Sequence, residues 1–160
     1  MDAGALVTRI VDAHNDGDDR ALLSMYARGA IVHFAGWPEP VDAESWVTAQ
    51  TGIRESFPDI RFEIRTVSTG PGLAVVELAM AGTNSGVLHL GNEDRIVLRT
   101  DAQSLPATGG RMSIDGVVVL EVSNGLVTAE RHYWPTVQSL VQLGLVQPRH
   151  PVVEFADTTG

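Results

Sequence analysis

The spacing of hydrophobic positions changes along the chain from a helical period to a strand period. Near the start, Leu6, Val7, Ile10 and Val11 recur at helical spacing until a polar run interrupts the pattern. From Ile60 onward, apolar residues alternate with polar ones, as in a strand with one buried face. Helices first and strands afterwards predict an α+β domain.

The same patterns place the other elements. In chain order we expect helices at residues 3–15, 20–27 and from 42 towards 57, a strand at 30–34, a loop at 36–40, strands from 60, at 73–84, at 116–122 and up to 134, and an apolar helix ending near 145. The short links at residues 68–72 and 123–125 suit hairpins and favour antiparallel pairing. Residues 85–110 are interpreted as a hairpin excursion plus a loop, and residues 147–160 as a tail, either frayed or strapped over a neighbouring subunit.

The predicted strand at residues 116–122 is apolar on both faces. Val117 and Val119 point one way, while Val118 and Leu120 point the other. Because each face must be covered, the helices can pack on one face while a cavity, a ligand or a second subunit meets the other.

Length and composition narrow the class of protein. A chain of 160 residues suits a single domain, which we place at residues 1–146, with a substantial core. A net charge of -9, without any basic stripe, argues against a nucleic-acid partner. The absence of lysine and cysteine excludes Schiff-base and thiolate chemistry. No leader or membrane-spanning stretch is seen, so we expect a cytoplasmic protein with no membrane partner.

The end of the chain carries a resemblance to a known family. The apolar strand, an Asn124-Gly125 turn, a strand ending in the run 131–134 and Pro135 before an apolar helix are similar to the closing hairpin of SnoaL-like polyketide cyclases and limonene-epoxide hydrolases. Similar too are the helix-to-strand junction at residues 57–59, the run at 82–86 and the loop at 106–111. These families belong to the nuclear-transport-factor-2-like superfamily, and the resemblance extends from residue 6 to 145.

The resemblance implies both a fold and an activity. It implies N-terminal helices packed on a strongly curved antiparallel or mixed sheet, which forms a cone around one internal pocket, and a homodimer. It also implies a cofactor-independent enzyme that cyclises or rearranges an apolar, oxygenated, polyketide-like metabolite by acid–base catalysis. Epoxide opening of the limonene-epoxide hydrolase type is the alternative chemistry, and a non-catalytic binding or dimerisation module is the rival class.

The resemblance also indicates candidate catalytic residues. His132 falls where epoxide-hydrolase relatives carry an aspartate, and a histidine pKa near 6.5 suits an acid or a base; a structural histidine is equally compatible. Asn84 ends the central strand and can orient an oxygen or form a turn. Arg99 and Asp101 match the Arg-Thr-Asp pattern of the epoxide hydrolases but follow the excursion instead of the central strand. Asp115 is either a cavity carboxylate or a solvated turn residue.

The remaining candidates concern the pocket wall and bound groups. We expect substrate-wall residues at Tyr26, His33, Trp37, Trp46, Phe57 and Trp134, all of which also suit an ordinary core. The scattered histidines show no metal-binding spacing, and nucleotide-binding and Gly-x-Ser-x-Gly motifs are missing, so no metal or cofactor is expected. One departure from the family is Pro135, which stands where many relatives carry an acidic residue; it suits the first turn of a helix.

Overall fold

The computed structural model describes residues 2–35 and 37–148. Their elements in chain order are α1 (Ala3–Asp16), α2 (Asp19–Leu23), β1 (Tyr26–Phe34), β2 (Val41–Asp42), α3 (Ala43–Ser56), β3 (Arg61–Gly70), β4 (Leu73–Thr83), β5 (Leu88–His89), α4 (Asn92–Leu98), β6 (Ser104–Leu105), β7 (Arg111–Ser123), β8 (Leu126–Tyr133) and α5 (Thr136–Gln142). The tail predicted from residue 147 therefore lies outside the described residues except for 147 and 148.

Six strands form one open, mixed sheet in the order β2-β1-β8-β7-β4-β3. The hairpins β3–β4 and β7–β8, and the central pair β4–β7, are antiparallel, whereas β1 runs parallel to β8. Short links specify hairpins, but they carry no information about how distant strands pair. The helices and this mixed sheet confirm the α+β class with an antiparallel or mixed sheet; the antiparallel pairing that the short links favour holds for both hairpins and does not extend to β1 and β8.

Helix α1 covers one face of the sheet with the apolar stripe that its sequence pattern predicts. Leu6, Val7, Ile10 and Val11 are all buried. The helix ends at Asp16 and is followed by the capping residue Gly17, whose φ of 65° is left-handed and is most easily adopted by glycine. The predicted first helix is thus confirmed to within one residue at its end.

The inner and outer faces of β7 differ in burial as its alternation requires. Val118 and Leu120 belong to the core, while Val117 is exposed on the opposite face. The register places Val117 opposite Tyr133 on β8, which is also exposed, and Val75 on β4 is exposed on the same outer face. The outer face of the sheet therefore presents apolar side chains that no described residue covers.

Pairing between distant strands corrects the prediction around residues 20–34. The second helix ends at Leu23, and Tyr26, expected on that helix, begins β1 instead. Tyr26 pairs with Val127 of β8, and the Val127 amide donates a hydrogen bond to the Met25 carbonyl. The predicted helix is too long and the predicted strand too short because this tertiary pairing overrides the local preference.

The excursion at residues 85–110 contains a helix that the sequence pattern does not indicate. Strands β5 and β6 pair antiparallel, as expected for a hairpin, and α4 lies between them. Helix α4 has no buried residues, so it carries no apolar stripe to reveal it. Within residues 2–35 and 37–148, no helix is long and apolar enough to cross a membrane.

Candidate active site

A cavity of about 570 Å³ lies between the inner face of the sheet and helices α1, α3 and α5. Its wall is mainly aliphatic and aromatic, with Val7 and Ile10 from α1, Val76 and Leu78 from β4, and Leu140 from α5. Cavities of this size hold one small organic ligand. An apolar wall in turn strengthens electrostatic interactions of the few polar groups that line it.

Glu130 and His132 are the polar groups that β8 contributes to this wall. They are two residues apart on one strand, so both side chains point to the inner face. Their exposed fractions are 2% and 5%, and Glu130 Oε1 lies 2.7 Å from His132 Nε2. Nε2 is not assigned a hydrogen-bond partner among the described residues despite this short distance. The contact is therefore chiefly electrostatic.

Tyr26 stands behind this pair and bonds to its carboxylate. The Tyr26 hydroxyl donates a hydrogen bond to Glu130 Oε2. Burial raises the pKa of Glu130, but the neighbouring His132 and the hydrogen bond from Tyr26 outweigh burial and hold that pKa below its usual value. Burial and the adjacent carboxylate raise the pKa of Tyr26 well above its usual value. At neutral pH the carboxylate is ionised and the phenol is not.

Trp134 determines which nitrogen of His132 carries the proton. The indole Nε1 lies 3.2 Å from His132 Nδ1, and an indole N–H can only donate. A neutral His132 therefore accepts at Nδ1 and carries its proton on Nε2, facing Glu130. Gly116 makes room for the indole, because a Cβ at that position would lie 2.2 Å from the Trp134 ring. Phe34 stacks on the imidazole with ring centroids 4.7 Å apart.

His14, in the last turn of α1, lines the same cavity. Its ring packs beside Trp46 and Phe62, with centroids 6.1 Å and 5.4 Å away. Burial lowers the pKa of His14 from 6.5 to about 4, although the charge of Glu130 partly opposes that effect. His14 is therefore a neutral imidazole at physiological pH.

Part of the 85–110 excursion forms the rim of the cavity. Glu93 and Asp94 of α4 line the cavity together with His89 of β5. The Thr136 hydroxyl donates a hydrogen bond to Glu93 Oε2 at 2.6 Å, which ties α4 to the start of α5. The excursion thus belongs to the cavity wall and is fixed to the C-terminal helix.

The structure brings only some of the predicted site residues to this cavity. Those that line it are His132, Trp37, Trp46, Phe57 and Trp134. Tyr26 reaches it only through Glu130. His33 is half-buried on β1 and does not line it, because it points away from its neighbours Val32 and Phe34, whose side chains reach the inner face.

Asn84 is fully buried, but its side chain serves the loops and not the cavity. Its Nδ2 donates to the carbonyls of Ser56 and Gly86, at 2.9 Å and 3.0 Å. Its Oδ1 accepts from the Thr108 amide and hydroxyl, at 2.8 Å and 2.9 Å. With both ends of the amide engaged, Asn84 joins the end of α3 to the loop before β7.

The predicted acidic and basic candidates also lie away from the cavity. Arg99 ends α4 in a left-handed conformation with φ of 52°, and both Arg99 and Asp101 are exposed. Asp115 is exposed on the outer face of β7, 3.7 Å from Arg65 Nε. None of these candidates lines the cavity, because the helix in the excursion turns the Arg-Thr-Asp run outward and the strand alternation turns Asp115 outward.

Sequence reasoning missed Glu130 and His14, although signals for both are present. Glu130 lies two residues before His132, so any inward-facing His132 on a strand brings Glu130 to the same face. His14 continues the spacing of Val7, Ile10 and Val11 on the buried face of α1. Among the residues that the structure describes, no three His, Cys, Asp or Glu side chains are arranged to hold a metal ion.

Comparison with known proteins agrees with this architecture. Residues 7–130 match the family model described as a SnoaL-like domain. No curated protein matches the sequence.

Solved structures provide more distant relatives. AclR of Streptomyces galilaeus, a proposed hydroxylase, superposes with a TM-score of 0.74 at 19% identity, covering 94% of this chain and 85% of its own. IdmH of Streptomyces antibioticus, a proposed polyketide cyclase, superposes with a TM-score of 0.70 at 21% identity, covering 88% of this chain and 97% of its own. A proposed SnoaL-like polyketide cyclase from Jannaschia sp. CCS1 superposes with a TM-score of 0.72 at 18% identity, covering 90% of this chain and 92% of its own. At these identities the likeness establishes the fold.

Proposed function

The chain belongs to the SnoaL-like family, and from this premise we propose that it is a cofactor-independent enzyme that cyclises or rearranges an apolar, oxygenated, polyketide-like metabolite. The observation that carries the proposal is the buried Glu130–His132 pair in an otherwise apolar cavity. Burying an ionised carboxylate at this depth is costly unless the charge is paired. Binding an apolar ligand does not require such a group, whereas proton transfer does. Titratable groups that converge in a cleft are typical of catalytic sites.

In the proposed reaction, Glu130 is the base. Its carboxylate takes a proton from a carbon next to a substrate carbonyl, and the electron pair of the broken C–H bond forms an enolate. The enolate carbon then bonds to a second carbonyl carbon of the same molecule. The oxygen of that second carbonyl takes the proton from Glu130, so the reaction is a net isomerisation and the enzyme returns to its starting state.

His132 and Tyr26 support the carboxylate in this scheme. Tyr26 donates to one carboxylate oxygen, and His132 Nε2 faces the other. Trp134 holds the histidine in the tautomer that directs a proton towards Glu130. Fixed groups of this kind orient a base before the substrate arrives. The predicted acid–base role of His132 is thus shared with Glu130 in our proposal.

Epoxide opening of the limonene-epoxide hydrolase type has less support. That alternative relies on Arg99 and Asp101, which are exposed and do not line the cavity. A non-catalytic binding module remains the rival, and the experiment below separates it from an enzyme.

The test measures hydrogen exchange at carbon. We expect the full-length protein in D₂O at neutral pD to accelerate exchange at C2 of 1-tetralone, a bicyclic ketone, as followed by proton NMR. Glu130→Gln should lower the rate about 10²-fold or more, the usual contribution of a general base. His33→Gln, which changes a histidine outside the cavity, is the matched control. Binding of 1-tetralone without acceleration by the wild type would favour the binding module.

We further propose that the protein is a homodimer formed through the outer face of the sheet. Val75, Val117 and Tyr133 expose apolar surface there on neighbouring strands. The same face carries both signs of charge, including the Arg131–Glu121 ion pair. A second copy related by a two-fold axis can bury the apolar side chains and place opposite charges together.

A further inference from the structure

We propose that His14 binds the carbonyl oxygen of the substrate and stabilises the enolate through a ring N–H donor. The inference rests on the proposed function, because it assigns the group opposite the base in the same reaction. It also narrows the substrate to molecules that place a carbonyl oxygen at the end of α1 while the adjacent carbon faces Glu130.

The first argument is the position of the ring. His14 lines the cavity from α1, whereas Glu130 and His132 line it from β8. No described residue forms a hydrogen bond with the His14 ring, although the ring sits among Trp46 and Phe62. A polar side chain at an apolar wall without a protein partner is available to a ligand atom.

The second argument is that the backbone around His14 is fixed. The side chain of the next residue, Asn15, accepts from the Phe62 amide at 2.8 Å and donates to the Phe62 carbonyl at 2.9 Å. The Gly17 amide donates to the His14 carbonyl at 3.2 Å and closes the helix. Hydrogen bonds thus fix the end of α1 to β3. Donors held in place in this way lose little freedom when charge develops on an oxygen.

The third argument is that the His14 ring is uncharged in this site. Glu130, His132, Arg54 and Asp19 are the charged or titratable groups that act on His14, and burial has the largest effect. A neutral imidazole keeps an N–H to donate without forming a permanent ion pair with the base. It can therefore contact an uncharged ketone and an enolate in turn, with the stronger contact to the enolate.

The test uses 2-naphthol as an enol mimic and naphthalene as its counterpart without the oxygen. We expect His14→Phe to lower the affinity for 2-naphthol about tenfold, which is the contribution of one hydrogen bond. The affinity for naphthalene should stay unchanged. His14→Gln, which keeps a donor, should restore most of the affinity. His33→Gln should change neither. Tryptophan fluorescence of the full-length variants reports both affinities.

A second measurement does not require a variant. In wild-type protein with ¹⁵N-labelled histidine, 2-naphthol should shift a His14 ring-nitrogen resonance more than naphthalene does. Equal weakening of both ligands by His14→Phe, or no selective shift, would overturn the assignment. The two proposals can fail separately. If 2-naphthol affinity depends on His14 but the wild type does not accelerate hydrogen exchange in 1-tetralone, the contact between His14 and the oxygen stands and the proposed function fails.

Discussion

The pH dependence of stability gives a direct test of how His14 is buried. The pKa of His14 is about 4 in the folded protein and 6.5 in its ordinary state, which represents the unfolded chain. Between these values the unfolded chain binds a proton that the folded protein does not. The free energy of unfolding must therefore fall as the pH drops from 6.5 towards 4.

The size of this effect follows from the same two values. Their difference corresponds to about 3 kcal/mol once the histidine is protonated in both states, and most of this loss is reached by pH 4.5. Carboxylates also titrate at the acidic end, including Glu130, whose lowered pKa gives stability that is lost only below its usual value of 4.5. A comparison with His14→Phe at each pH removes these shared contributions.

The assay is urea unfolding followed by tryptophan fluorescence, from pH 7.5 to pH 4.5. Between these limits the free energy of unfolding of the wild type should fall by about 2–3 kcal/mol more than that of His14→Phe. His33→Gln should follow the wild type. Parallel curves for the wild type and His14→Phe would refute the reasoning, since they would mean that His14 is protonated as easily in the folded protein as in the unfolded chain.

Three further substitutions test other parts of the structure. Gly116→Ala should force the Trp134 ring aside, because a Cβ would lie 2.2 Å from it; we expect about 1–3 kcal/mol lost in urea unfolding and about 10²-fold slower 1-tetralone exchange. Asn84→Ala should lower the free energy of unfolding by about 3 kcal/mol, because it leaves buried backbone groups unpaired, while naphthalene affinity measured on folded protein stays unchanged. Val117→Glu should convert a dimer to a monomer in sedimentation, whereas Val87→Glu, an exposed site away from the outer face, should not.

Much of the fold follows from local patterns, and the exceptions depend on contacts between distant segments. Helix α1 and the β7–β8 hairpin are specified by periodicity and by a turn sequence, which act within a few residues. The parallel pairing of β1 with β8 joins two segments that lie far apart in the sequence. No local signal at Tyr26 distinguishes the end of a helix from the start of such a strand, and so the prediction failed there.

The site was predictable where a residue type and a strand position coincide. His132 and Trp134 lie at the end of an alternating strand, and the structure places both on the cavity wall. Asn84 also ends a strand, but its side chain turns to Ser56 and Thr108. Whether a polar residue at a strand end serves a cavity or a loop depends on the neighbouring segments. A single sequence does not supply that information.

The departure of this chain from its relatives can be understood from the strand period. The resemblance places a carboxylate at position 132, where this chain has an imidazole. Glu130 places a carboxylate on the same face two positions earlier, about 6.6 Å back along the strand. The carboxylate then lies beside the hydroxyl of Tyr26, and the imidazole lies between the carboxylate and Trp134. In the reaction proposed above, Glu130 is the base, one strand repeat away from position 132, and His132 is its partner. The comparison that decides this point is Glu130→Gln against His132→Gln in 1-tetralone exchange: a base at Glu130 requires the larger loss from the first variant.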